Sequence, residues 1–337
     1  MMGYNMCIES SIYWGCRDLE LDYKRIDLLV SVATLYYEHG YNQNQIAQKL
    51  GLSRPYISKL IAEARERGIV TIQIHDPAGV ETPLERDLRQ RFGLRKVIVV
   101  PQTPEAPLTK VGQAAARYLN SIVSAGDIVG VGWGATMYTA ARSAALRRDL
   151  SDVTVVQLCG GISNLERSIY ANEIPKLFAD AFSGTPYILP LPAIVDDSEV
   201  KRSILTDHNI GRVMEVAARA NIAMFTLGKS AADSALTHAG YLADSQLKRL
   251  DEAGAVGDIC CHFIDEHGRL CDPELDARTI GLPPEELRRK EHRIAVAIGM
   301  SKVRSICGAL RGGYATELIT NEDTAAAVMR RLDEIDA

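Results

Sequence analysis

Nowhere do the 337 residues run for about 18 positions on apolar side chains without a charge, which excludes a membrane-spanning helix of ordinary length. Glu9, Arg17 and Asp18 interrupt the N-terminal stretch before an apolar segment can form, so no signal peptide is expected. Cysteine is sparse: Cys7, Cys16, Cys159, Cys260, Cys261, Cys271 and Cys307 are scattered, odd in number and without a Cys-x-x-Cys pair. That pattern predicts reduced thiols in a cytoplasmic protein and argues against a disulfide framework or a thiolate metal site. Nucleotide fingerprints are missing too. Gly228-Lys229-Ser230 ends like a P-loop, but Ala223 stands where the first glycine should be, and Gly130, Gly132 and Gly134 are not spaced as a dinucleotide-binding turn. ATP and nicotinamide are therefore not expected, and no cofactor or metal is predicted. There is no low-complexity tract and no short repeat. A hydrophobic content of 47% with 24% charged residues suits a chain of about two globular domains.

What is present begins with a patterned stretch from Asn42, NQNQIAQKLGLSRPYISKLIAEARERG. Ahead of it, Ile26, Leu29, Val30, Ala33 and Tyr37 recur at helical spacing and predict a first helix with that face inward, ended by Gly40. Asn42 suits an N-cap for a second helix with Ile46, Ala47 and Leu50 inward. Gly51 supplies a turn. Ser53 caps a third helix, with Pro55 in the first turn where a missing N–H costs nothing. Ile57, Leu60, Ile61 and Ala64 form its inner stripe, Gly68 ends it, and Ile69 to Ile74 reads as a strand. Five basic residues (Lys49, Arg54, Lys59, Arg65, Arg67) stand against Glu63 and Glu66 here, while the formal charge of the whole chain is -5. A basic module on an acidic body is a local electrostatic footprint. Two short helices, a tight turn and a polar outer face make a helix-turn-helix, with the strand as the start of a wing. The DNA-contacting residues expected are Gln43, Ser53, Arg54, Pro55, Tyr56, Ser58 and Lys59; Arg54 is able to pair bidentately with guanine. The alternative is an ordinary helical hairpin with a solvated basic face.

Beyond Asp76-Pro77-Ala78-Gly79 the pattern changes. Leu84, Leu88 and Phe92 predict a helix over 82–92. Uninterrupted apolar strands follow at 96–100, 128–131, 153–158, 222–227 and 294–298, most of them separated by helical segments such as 108–122 and 137–146. Strands apolar on both faces, alternating with helices, predict an α/β domain with a parallel sheet. Four of them run into glycine turns: Gly132-Trp133-Gly134-Ala135-Thr136, Cys159-Gly160-Gly161, Gly228-Lys229-Ser230 and Gly299-Met300-Ser301-Lys302. Ligands of open parallel sheets sit beyond the carboxyl ends of the strands, where glycine lets backbone N–H groups approach an anion and the next helix offers its positive end. With lysines in two of the loops, the expected ligand is a small phosphorylated molecule. Trp133 is placed either to stack on a sugar face or to fill the core.

The run QIAQKLGLSRPYISKLIAEARERGIVTIQI resembles the N-terminal domain of the SorC family of bacterial transcriptional regulators, and the resemblance extends over roughly residues 24 to 335. GAVGDICCHFIDEHG and IGMSKVRSICGALRGGYATELITNEDTA carry it in the C-terminal part. It implies a winged helix-turn-helix joined to a sugar-phosphate-sensing α/β domain akin to sugar-phosphate isomerases. It also implies an effector-contacting Asp258 and Lys302, a phosphate cradle at Gly134, Ala135 and Thr136, and a pocket-lining Asn172. Some members carry arginine at the position of Cys159 and glutamine at that of Tyr170; their absence favours a monophosphate or a less charged polyol over a bisphosphate.

The domain expectation is an arm over 1–20, a winged helix-turn-helix over 21–76, a linker and helix over 77–92, and an effector and oligomerisation domain over 93–337. The functional expectation is a regulator with operator DNA, a sugar or polyol phosphate and further copies of itself (a dimer or tetramer) as partners, and without membrane attachment. Its effector residues are Gly132, Trp133, Gly134, Ala135, Thr136, Gly160, Asn172, Gly228, Lys229, Asp258 and Lys302. The rival is an isomerase- or deaminase-like enzyme using Asp233, Lys229 and Asp258, with an accessory DNA-binding domain. Cys260-Cys261-His262, His267 and Cys271 as a metal cluster, and Asp196-Asp197 as a catalytic pair, are weaker candidates.

Overall fold

Residues 24–70, 81–102, 106–162 and 170–336 are described by a computed structural model. The chain divides into two units, Met1–Val80 and Glu81–Ala337.

In the smaller unit, helix α1 covers 24–37, followed by α2 (Gln43–Leu50) and α3 (Arg54–Glu66). Each break has a local cause. Asn42 accepts from the Gln45 N–H at 3.0 Å and donates its own N–H to Gln45 Oε1 at 2.9 Å, a reciprocal cap. Gly51 ends α2 in the left-handed region with φ 65°. The Ser53 hydroxyl then accepts from the Tyr56 N–H at 3.4 Å, with Pro55 in the first turn. Leu29, Val32, Ala33, Ile46, Ile57, Leu60, Ile61 and Ala64 close one buried cluster, each large side chain contributing about 1.5–3 kcal/mol. Ile26 and Val30, expected inside, are exposed. The buried stripe of α1 runs through Leu29, Val32 and Ala33, and those two side chains lie to one side of it. Ile69 and Val70 carry no strand, and the rest of the expected wing, 71–74, lies outside the described residues, as does the arm.

The larger unit starts with a helix that the sequence grouped with the linker. Helix α4 (Pro83–Phe92) buries Leu88 in the main core, and its Glu85 accepts from the Val99 N–H at 2.8 Å. The strands are β1 (Lys96–Val100), β2 (Ile128–Val131), β3 (Thr154–Gln157), β4 (Thr185–Tyr187), β5 (Ile222–Phe225), β6 (Ala255–Ile259), β7 (His262–Asp265), β8 (His292–Val296) and β9 (Glu317–Asn321). Seven form a parallel sheet in the order β1-β9-β8-β5-β2-β3-β4, while β6 and β7 form a separate antiparallel hairpin. From β2 the chain winds through β3 and β4 to one edge, then returns to lay β5 on the other side of β2. The switch point of the sheet therefore lies between β2 and β5, where an open α/β sheet opens a crevice. Helix α5 (Pro107–Ile122) and α6 (Ala135–Arg142) cover one face, and α6 stops before Leu146, which is exposed.

Candidate functional site

A cavity of about 810 Å³ opens beyond the carboxyl ends of β2, β3, β5 and β8, at that switch point. Three of the glycine loops reach it through Gly132 to Thr136, Gly228-Lys229 and Lys302, the fourth through Cys159. Asp258, Cys260 and Cys261 enter from the β6–β7 hairpin, whose Ile259 bridges to Leu227. Of the effector residues expected from sequence, Gly132, Trp133, Gly134, Ala135, Thr136, Gly228, Lys229, Asp258 and Lys302 all line this one space.

Two glycines are there for steric reasons. Gly134 precedes α6 at φ 124°, beyond easy reach of other residues, and no side chain caps the helix behind it. The first N–H groups of α6 are thus free of an intrahelical partner at the cavity wall, a ready anion site. At Gly228 a β-carbon would land 1.7 Å from Asp258 Oδ1, so only glycine lets that carboxylate in. Trp133 is half-buried and donates its indole N–H to Gly160 O at 2.8 Å; it is a packed wall holding the β2 and β3 loops together.

Lys302 sits at the end of a 3-10 turn (Met300–Lys302) and donates to Thr226 Oγ1 at 3.0 Å. Burial lowers its pKa to about 8, against the pull of Asp258 and with the repulsion of Lys229. Asp258 accepts from the Cys261 N–H at 3.1 Å, and burial raises its carboxyl above the usual range, opposed by that hydrogen bond and by the Lys302 and His262 charges. Lys229 is exposed at the rim. The arrangement offers an incoming anion a helix N-terminus and two amines, and offers hydroxyls the Asp258 carboxylate. The lining also holds the apolar Phe225, Leu227 and Leu236 and the thiols, together with Thr226, Asp233, Ser234 and His238.

Some sequence candidates fall elsewhere. Asn172 does not line the cavity: it is exposed at the start of α7 (Glu173–Ala181), following the undescribed residues 163–169. Gly160 touches the site only through Trp133, because Pro192 O lies 2.2 Å from where its β-carbon would stand and the loop is packed there. Tyr170 stacks on Tyr138 at 3.7 Å. Asp197 caps helix Ser198–Leu205 at the surface, accepting from the Glu199 N–H at 2.6 Å, and Asp196 beside it is exposed, so they form no catalytic pair. His262 Nδ1 lies 2.9 Å from Asp276, and no group of three His, Cys, Asp or Glu among the described residues is placed to hold a metal. Sequence reasoning missed Thr226, Ser234 and His238, which carry no local signature and reach the cavity because β5 ends there.

On the smaller unit, Ser53, Arg54, Pro55, Ser58 and Lys59 are exposed at the start of α3, and Gln43 is partly exposed at the start of α2. Arg54 and Lys59 have no hydrogen bond or ion pair among the described residues. Tyr56 is different. Its hydroxyl accepts from Arg25 at 2.5 Å, and Arg25 also pairs with Glu63, which holds that arginine well above its ordinary range. Tyr56, expected among the DNA-contacting residues, is thus tied to α1 together with Glu63.

A sugar-binding domain family, Sugar-bind, matches residues 77–330. The chain is 40% identical to the deoxyribonucleoside regulator of Bacillus subtilis over 93% of its own length and all of that protein. It is 31% identical to the sorbitol operon regulator of Klebsiella pneumoniae over 90% of this chain and 98% of that one. The crystal structure of full-length SorC, the Klebsiella pneumoniae sorbitol operon regulator, superposes with a TM-score of 0.75 at 30% identity, covering 90% of this chain and 98% of that one.

Proposed function

This chain belongs to the SorC family of sugar-binding transcriptional regulators, and from that premise we propose that it binds operator DNA through α2 and α3 and is switched by a phosphorylated sugar or polyol in the cavity of the larger unit. The observation that carries this is the convergence of the α6 N-terminus, Lys229, Lys302 and the Asp258 carboxylate on one space. The amides and amines take the phosphate; Asp258 takes a hydroxyl. Thr226, Ser234 and His238 offer partners to further hydroxyls, and a deoxygenated carbon of the effector would meet Phe225, Leu227, Leu236 or the thiols. The name of the 40%-identical relative, a deoxyribonucleoside regulator, points the same way.

Arg54 reads a base at the exposed N-terminal end of α3, while Ser53, Ser58, Lys59 and Gln43 hold phosphates or neighbouring bases. One such element covers a short half-site, so the working form is a dimer or tetramer on a symmetric operator, in the cytoplasm. Effector binding changes the subunit arrangement and so the half-site spacing. The larger unit works as a sensor and turns over no substrate.

The test is fluorescence anisotropy of the full chain on DNA from upstream of its own gene, with and without deoxyribose 5-phosphate, ribose 5-phosphate and sorbitol 6-phosphate. Tight binding shifted by one of these supports the reading. Absence of specific binding at physiological salt, together with turnover of a sugar phosphate that Asp258→Asn abolishes, replaces it with the enzyme.

A further inference from the structure

The tip of the β6–β7 hairpin is chemically unusual. Two residues join the strands, and both are left-handed: Cys260 at φ 49° and Cys261 at φ 73°. Asn-Gly is the ordinary choice for a two-residue turn of that hand, because a β-carbon crowds the backbone there. Here the turn carries two buried cysteines and points into the cavity. It delivers both thiols to the loop after β3, where Cys159 is buried and its thiol is within hydrogen-bonding reach of each. The loops are pressed together at this point: a β-carbon on Gly281 would stand 3.0 Å from Cys159 Cβ and 3.4 Å from Cys260 O. All three cysteines line the cavity, so a reagent small enough to enter it meets them there.

We propose that Cys159 and Cys261 are an oxidation site, which a small hydroperoxide entering the cavity converts to a disulfide across the cavity wall. The Cys261 sulfur attacks one oxygen of hydrogen peroxide. The O–O bond breaks, the departing oxygen leaves as water with the proton given up by the thiol, and Cys261 becomes a sulfenic acid. The Cys159 sulfur then attacks the Cys261 sulfur. The S–O bond breaks, the S–S bond forms, and a second water leaves carrying the Cys159 proton. Two thiols lose two electrons and the peroxide gains them.

The linked product is the same whichever of the two sulfurs is oxidised first; for Cys261 the hydrogen bond with Cys159 lowers the pKa, while burial and the nearby Asp258 charge raise it overall. For Cys260 the bond with Cys159 and burial both raise the value, and Cys159 is also pushed well above its ordinary range. All three stay protonated at neutral pH, so the reaction is slower than that of an activated thiol. The link has a mechanical consequence: Cys261 N–H is the donor that holds Asp258, 3.1 Å away. Drawing Cys261 toward Cys159 moves that donor, and anion binding in the cavity weakens. This consequence rests on the effector site proposed above; the disulfide does not.

The experiment exposes the reduced full-length chain to hydrogen peroxide, alkylates the remaining thiols and maps peptides by mass spectrometry. A Cys159–Cys261 linked peptide short of two hydrogens, absent from Cys159→Ser, is the expected result. Cys159 and Cys261 remaining alkylatable under conditions that oxidise the less buried Cys271, or a link from Cys159 to Cys260, overturns the assignment. A double variant, Cys260→Asn with Cys261→Gly, keeps residues suited to the turn. It should unfold like the wild type or later, with Cys159 still reduced after peroxide. The thermal shift given by inorganic phosphate should shrink at least tenfold in apparent affinity for the linked wild type and persist in the peroxide-treated double variant. A linked protein that binds phosphate as well as the reduced one does removes the consequence for the cavity.

Discussion

The smaller unit presents its candidate surface from 17 consecutive positions, Gln43 to Lys59, whereas the larger unit assembles its own from segments between Gly132 and Lys302. In the first, side chains on α2 and α3 do the work and the backbone is satisfied within helices and caps. In the second, the backbone is part of the equipment: N–H groups at the start of α6 without an intrahelical partner, a glycine that admits a carboxylate, a lysine anchored on a threonine just past β5. A surface read along one helix follows from short-range spacing. A cavity at a switch point exists only once distant strands are side by side.

Substitutions should separate the two. Lys302→Ala should have the largest effect, weakening the phosphorylated effector by about 2–5 kcal/mol, because it removes a partly buried cation facing an anion. Operator affinity without effector should not change; calorimetry on effector and anisotropy on DNA check the two halves. Arg54→Ala should do the converse, costing about 1–3 kcal/mol on the operator, relaxing one base pair and leaving effector affinity intact. Equal losses on specific and random DNA would reduce Arg54 to a phosphate contact.

The pH dependence is next in size. With its pKa lowered to about 8, Lys302 is an ammonium below that pH and loses its charge above it. Affinity for an anionic effector should therefore be level from about pH 7 to 8, then fall up to about tenfold per pH unit. Titration at pH 7 and pH 9 measures this. Stability responds with the opposite sign. The unfolded lysine titrates near 10.5, so the unfolded chain binds more protons between about 8 and 10.5, and this group's contribution to stability rises across that window. Operator binding should show neither trend. The smallest effect is expected from Ser53→Ala, which removes the α3 cap for about 0.5–2 kcal/mol. It should lower the melting point of the smaller unit and leave the phosphate-induced shift of the larger one in place.

Much of this was legible in the residues. Asn42, Gly51 and Ser53 mark their helix ends because a cap needs only three or four neighbouring positions. The apolar runs at 96–100, 128–131 and 222–225 mark strands buried on both faces. What escaped did so for physical reasons. β9 reads Glu317-Leu318-Ile319-Thr320-Asn321, too polar for a buried strand until His292 Nδ1, 2.8 Å from Glu317, and the Arg293 N–H, 3.1 Å from it, are seen to satisfy its carboxylate. β4 contains Pro186 and is tolerated because it is an edge. The Cys260-Cys261 turn carries no turn residue at all. Ile26 and Val30 belong to the right helix but to the wrong side of its stripe.

Sequence by itself determined the two-part organisation, the capped helices with an exposed Arg54, the parallel strands and the glycines that follow them, because each of these rests on interactions a few residues long. Tertiary structure alone decided that four loops share one cavity, that Asn172 stands outside it, that Tyr56 is bound inward by Arg25, and that Cys159 meets Cys261. The cavity outcomes depend on the strand order β8-β5-β2-β3 and on the docking of one hairpin, the Tyr56 contact on the packing of α1 against α3, and no local pattern encodes which element lies beside which.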